Sequence, residues 1–180
     1  MRLEVRIAGF GGQGVALAGY ILGKALTVYD DYEAVMTQSY GPEARGGASS
    51  ADIVVSDEPI DYPFVQHPDV LVVLSQEAYT RFRPTAKPDA TILIDGDLVQ
   101  PQAGENPLCI PATRIAEGIG RRIVANLVML GFLVSVTGLG SPQSLEKAIK
   151  TTVKPKTISL NLEALERGLK YSPAQVMTNE

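Results

Sequence analysis

The hexapeptide Gly9-Phe10-Gly11-Gly12-Gln13-Gly14 constrains this chain more than any other stretch. It follows an apolar run carrying Leu3, Val5 and Ile7, and it opens a helical pattern of Val15, Leu17, Ala18, Ile21, Leu22, Ala25 and Leu26. A strand that turns on glycines into a helix aims unpaired backbone N–H groups outward at the helix N-terminus. Those donors and the helix dipole together favour a bound anion. Gln13 adds an amide, which can both donate and accept.

The rest of the chain repeats the alternation. Residues 33–38, 51–55, 69–74, 90–94 and 108–110 read as strands, and 76–82 as a short helix closed by Pro84. Residues 69–74, DVLVVL, form a nearly continuous apolar run, as expected of a strand buried on both faces. The final third is helical. Residues 123–136 are apolar almost all round, which predicts a buried helix. Ser141-Pro142 supplies an N-cap and a first-position proline for the next helix, and 158–169 reads as the last. Strands alternating with helices predict a single α/β domain over 1–180, with a largely parallel sheet and right-handed crossovers.

A second glycine-rich stretch, Ser39-Tyr40-Gly41-Pro42-Glu43-Ala44-Arg45-Gly46-Gly47, suits neither helix nor strand. Glu43 and Arg45 can pair at a solvated surface, a contact of about 0–1 kcal/mol. Three glycines beside a tyrosine and an arginine equally suit close approach to a ligand or another subunit.

Composition removes several chemistries. A net charge of −4 lacks the basic footprint of a nucleic-acid binder. The single cysteine, Cys109, allows neither an internal disulfide nor a four-cysteine cluster, and fits a reducing, cytoplasmic compartment. His67 is the one histidine, so a histidine-rich metal site is excluded; next to Pro68 it reads as a loop residue. Cys109, between Leu108 and Ile110, reads as a small core residue, and Asn126 as a satisfied core amide. Asp95-Gly96-Asp97 reads as a turn. The N-terminus has no signal-peptide pattern, since Glu4 and Arg6 interrupt it. The longest apolar stretch falls short of the roughly 20 residues that span a bilayer.

The G-x-G-x-x-G spacing in a strand–turn–helix context also raises a dinucleotide site. That site wants an acidic residue at the end of the second strand. Here Asp30, Asp31 and Glu33 precede or begin the strand, and its end reads Thr37-Gln38. No lysine follows the loop as a P-loop nucleotidase requires. Three readings therefore stand together: a subunit with a ligand loop, an NAD-dependent dehydrogenase, and an interaction module without a small ligand.

The two loops together carry a family resemblance. IAGFGGQGV at 7–15, SYGPEARGG at 39–47, SDEPI at 56–60, PDVLVVLSQEAYTRF at 68–82, IPAT at 110–113 and VANLVMLG at 124–131 resemble the gamma subunit of the 2-oxoacid:ferredoxin oxidoreductases. The resemblance extends over nearly the whole chain, to about residue 168. It also touches the related subunit of indolepyruvate ferredoxin oxidoreductase. Ala44 departs from the pattern, which carries a bulkier methionine there.

The resemblance implies a Rossmann-like three-layer domain in an enzyme that decarboxylates a 2-oxoacid, foremost 2-oxoglutarate or else a branched 2-oxoacid, to its acyl-CoA and reduces ferredoxin. Thiamine diphosphate and iron–sulfur (4Fe–4S) clusters would sit on partner alpha, beta and ferredoxin-like delta subunits. This chain would carry no catalytic residue, no metal and no cofactor of its own, and would be inactive alone. Coenzyme A is its candidate ligand, at Gly11, Gly12, Gln13 and Gly14 and at Ser39, Tyr40, Gly41, Pro42, Glu43, Arg45 and Gly46. A homodimer is a candidate state of the isolated chain, and no membrane or nucleic-acid partner is implied.

Overall fold

A computed structural model describes residues 1–39 and 47–173. The apolar alternation at the N-terminus forms β1 (Arg2–Gly9), and the glycine turn leads into α1 (Val15–Tyr29). β2 (Glu33–Ser39) and β3 (Ser49–Ser56) follow, then β4 (Val70–Val73) and α2 (Gln76–Phe82). β5 (Thr91–Asp95) and the three-residue β6 (Leu108–Ile110) complete one sheet, ordered β2-β3-β1-β4-β5-β6.

β1, β4, β5 and β6 are successive parallel neighbours, as the alternation predicts. β3 alone runs against the rest, antiparallel to both β1 and β2. Its place is marked by charge: Arg6 faces Asp52 in the β1–β3 ladder, and the guanidinium donates to both carboxylate oxygens at 2.8 and 2.6 Å. This insertion also decides the dinucleotide question. The second strand of a dinucleotide fold lies beside the first, whereas β2 stands two interstrand spacings away, about 9–10 Å.

α2 covers one face of the sheet over Ala8, Leu71, Val73 and Ile94. The other face carries α1 and the helical third: α3 (Ala112–Ile119), α4 (Ala125–Thr137), α5 (Pro142–Lys150) and α6 (Ile158–Lys170). The result is a three-layer α/β fold. The helix expected over 123–136 forms as α4 and is buried from Ala125 to Val134, whereas Ile123 stands 47% exposed ahead of it and Ser135 is exposed near its end. α4 and α6 cross in close contact at two glycines. A Cβ on Gly131 would collide with the Leu165 carbonyl, and one on Gly168 with that of Val128. Ser141 caps α5, accepting from the Ser144 N–H at 3.1 Å. Asp30, at the end of α1, accepts from both Ser hydroxyls and so ties the two helices together.

α3 forms between Pro111 and Ile123, a stretch not among the elements expected from the sequence. Cys109 also differs from expectation: it is exposed, because β6 is a short edge strand with no further neighbour to cover it.

Candidate functional site

The chain runs from β1 to β2 on one side and then crosses to β4 on the other. The switch in strand order therefore lies between β1 and β4, the place where open α/β sheets bind ligands beyond their carboxyl ends. The glycine turn sits at this point. Gly12 and Gly14 adopt positive φ of 92° and 74°, which side chains rarely tolerate. Gly14 is the N-cap of α1, so no side chain caps the helix, and no acidic residue occupies its first turn. The outward donors at the helix start are thus left without a side-chain acceptor.

Three neighbours hold the turn. The Gln13 amide donates to the Leu74 carbonyl at 2.8 Å and accepts from the Phe10 N–H at 2.5 Å. Its role here is a staple between the turn and the end of β4, and both of its functions are engaged within the chain. Asn126, at the start of α4, donates to the Gly14 carbonyl at 3.0 Å, the satisfied bond expected of a buried amide. Cβ atoms on Gly9 and Gly14 would stand 2.6 and 2.5 Å from these two side chains, so the anchoring needs glycine at both positions. On the third side Gly47, at φ 88°, meets the Phe10 ring.

A cleft of about 210 Å³ opens beside the turn, lined by Gly12, Gln13, Leu74, Thr113, Arg122 and Ile123. Arg122 is its cation, with its side chain 62% exposed and Glu117 only distantly paired at 4.0 Å. Thr113 donates its hydroxyl proton to Asp95 at 2.6 Å, which leaves the oxygen lone pairs free to accept. Asp95 is fully buried at the carboxyl end of β5, and burial pushes its carboxyl above the ordinary value despite the Thr113 and Asp97 hydrogen bonds. Asp95 and Asp97 do form a turn, and Asp97 also accepts the Arg114 N–H at 2.9 Å near the start of α3.

Size alone would misplace the site. A roomier cavity of about 380 Å³ lies at the amino ends of β4 and β5, beside Leu3, Asp69 and Thr91, away from the glycine turn. Another, of about 240 Å³, is lined by Tyr79, Arg83 and Glu105, which bond one another; burial and Glu105 push the Tyr79 hydroxyl up to about 12.

Of the residues expected at the site, Gly11, Gly12, Gln13 and Gly14 form the turn, and Ser39 ends β2. Tyr40, Gly41, Pro42, Glu43, Arg45 and Gly46 lie outside the described residues. The stretch leaves β2 at Ser39 and returns at Gly47, both at the same end of the sheet as the glycine turn. Thr113, Asp95 and Arg122 were missed by sequence reasoning. The available signal was Ala112, Ile115, Ala116 and Ile119 at helical spacing, stopped by Gly120.

The cleft lining holds neither cysteine nor histidine. Although Cys109 is exposed as a residue, its sulfur packs against Gly96, and this partial desolvation with the Asp95 and Asp97 carboxylates raises the thiol. His67 meets the Thr85 carbonyl at 3.0 Å in a loop, as expected. Among the described residues no group of three or more candidate metal ligands exists, and no helix is long and apolar enough to cross a membrane. The arrangement offers anion binding and close backbone approach, with no cysteine or histidine at the cleft.

Comparison with known proteins places the chain in a family. Residues 4–171 match the family described as pyruvate ferredoxin/flavodoxin oxidoreductase. The chain is 52% identical over 173 residues to 2-oxoglutarate synthase subunit KorC of Methanocaldococcus jannaschii, covering 93% of this chain and 92% of that one. It is 38% identical to ketoisovalerate oxidoreductase subunit VorA of Methanothermobacter thermautotrophicus, covering 94% of this chain but 36% of that longer one. Its fold is similar to that of the gamma subunit of the keto/oxoacid ferredoxin oxidoreductase from Geobacter sulfurreducens, with a TM-score of 0.85, 38% identity and coverage of 94% and 95%. With matches of this extent, the chain belongs to the pyruvate ferredoxin/flavodoxin oxidoreductase family, as a gamma subunit of the 2-oxoacid:ferredoxin oxidoreductases.

Proposed function

We propose that this gamma subunit serves a complex that oxidatively decarboxylates 2-oxoglutarate to succinyl-CoA and passes the electrons to ferredoxin, and that its glycine-turn cleft holds part of coenzyme A. The substrate reading rests on the gradient of identity, which is higher to the 2-oxoglutarate synthase subunit than to the ketoisovalerate enzyme. Thiamine diphosphate and iron–sulfur clusters supply the carbanion and electron-transfer chemistry from the partner subunits. The complex works in the cytoplasm.

One observation carries the coenzyme reading: the uncapped N-terminus of α1 and Arg122 share a single cleft. Both favour phosphate oxygens, the helix through its dipole and free N–H groups, the arginine through a charge-assisted pair. Thr113 adds an acceptor for a donor such as an amide N–H. At about 210 Å³ the cleft is smaller than a site for a whole drug-sized ligand, and coenzyme A is larger still. The rest of the coenzyme lies against other surfaces, among them a partner subunit. This chain's work is to bind and orient.

Arg122→Ala tests the reading. The side chain is mostly exposed, so the variant keeps its fold and assembles. The reconstituted enzyme should then need at least tenfold more coenzyme A for half-maximal rate, about 1.4 kcal/mol, at an unaltered requirement for 2-oxoglutarate. An unchanged coenzyme A requirement would remove the cleft from the coenzyme site.

A further inference from the structure

A second opening lies beyond Ile123, separate from the glycine-turn cleft. It is a groove of about 350 Å³ between α1, the end of α5 and α6. Leu17, Ile123, Val153 and Leu160 give it an apolar lining, and Arg121 and Lys154 stand at it as cations. No carboxylate lines it, in a chain of net charge −4. Neither the Arg121 nor the Lys154 side chain makes an ion pair or hydrogen bond among the described residues.

The apolar surface extends past the groove along α1. That helix carries one charged residue, Lys24, in fifteen, and its outer side exposes Tyr20 at 51% and Val28 at 57%. Lys24 is already engaged, donating to the Thr151 carbonyl and the Thr152 hydroxyl. A helix apolar on its outer side as well as its inner side is one that expects cover on both. Ile123, 47% exposed, joins this surface to the groove.

The chemistry of the lining selects the occupant. The Asn126 and Asn161 amides donate to the Gly14 and Thr157 carbonyls, so the groove's amides are engaged within the chain. What remains unmatched is apolar area and two cations. A nucleotide base would need in-plane donors and acceptors, whereas a peptide segment with a large apolar side chain between carboxylates matches both features. We infer that this groove docks an acidic, apolar-anchored segment of a partner subunit. The inference rests on the assignment of the chain as a subunit and adds where, and to what chemistry, one partner attaches.

The test is assembly of the purified full chain with the purified partner subunits of its complex, measured without coenzyme A. The Arg121→Glu/Lys154→Glu double variant should keep its melting temperature and bind its partner at least tenfold more weakly. Arg167→Glu/Lys170→Glu makes the same change in net charge on the exposed side of α6 and should stay within about threefold of the native chain. A photoreactive side chain placed at Leu160 should cross-link to a partner peptide containing Asp or Glu. Should the glutamate variant melt early, Arg121→Gln/Lys154→Gln replaces it with the same expectation. Unweakened assembly, equal weakening by both double variants, or a cross-link only to a second copy of this chain would each overturn the inference. Loss of inorganic diphosphate binding with assembly intact would overturn it too, by making the groove a small-anion site. If the native chain itself fails to assemble, the subunit assignment falls, and the docking site falls with it.

Discussion

Gln13 closes the glycine turn from within, one end of its amide on Phe10 and the other on Leu74. Gln13→Ala removes both bonds and leaves the carbonyl of a buried residue without its donor, at a cost of about 1–3 kcal/mol. Urea unfolding should register that loss as a lower midpoint; an unchanged midpoint would mean that water replaces the amide at no cost. Asp95 supplies a second residue-scale prediction. Burial raises its carboxyl above 3.8, so the folded chain holds that proton more tightly than the unfolded chain does. The associated stability is fully present below pH 3.8 and is lost as pH rises through the raised folded value. Asp95→Asn cannot titrate, so across that window the variant should gain on the native chain, with a constant difference above it. A difference in stability that is independent of pH would contradict the assignment. At this scale the sequence displayed the glycines plainly and concealed their anchors. Gly14 and Asn126 are 112 positions apart, and nothing local in either segment names the other. Gln13 was visible as an amide, but its engagement with Leu74 depends on the β1–β4 pairing.

The crossing of α4 and α6 depends on two residues without side chains. A methyl group on Gly131 would be driven into the Leu165 carbonyl, a backbone atom that cannot rotate away. Gly131→Ala should therefore destabilise by about 1–3 kcal/mol, overcoming the gain of up to about 1 kcal/mol that alanine brings to a helix interior. At Gly23, within α1, a methyl group would find no other atom within 4 Å, and Gly23→Ala should stabilise by a few tenths to about 1 kcal/mol. Thermal melts of the two variants should move in opposite directions; parallel shifts would show that the crossing tolerates a wider spacing. Hydropathy patterns made most elements legible, because a strand buried on both faces and a helix buried all round leave long apolar runs. α3 escaped because it is only eight residues long, and its four alanine and isoleucine contacts make a short signal between Pro111 and Gly120. The reversal of β3 escaped for a different reason: the hydropathy of a single strand does not record the direction of its neighbours.

The whole molecule reads as a part. Its cleft holds neither cysteine nor histidine, that cleft is smaller than the coenzyme proposed for it, and an apolar helix face stands beside two cations that make no ion pair among the described residues. The family was legible from the two glycine loops, since their combination is specific even though either alone is common. The extent of the cleft was not, because Thr113 and Arg122 reach it only once α3 and the turn after it are folded. The most direct measurement of this subunit's role is reconstitution from purified subunits, following reduction of ferredoxin by 2-oxoglutarate. This chain alone should show no activity, and full, coenzyme A-dependent activity should appear only when it joins its partner subunits. Equal coenzyme A-dependent activity from the partner subunits without this chain would contradict that role.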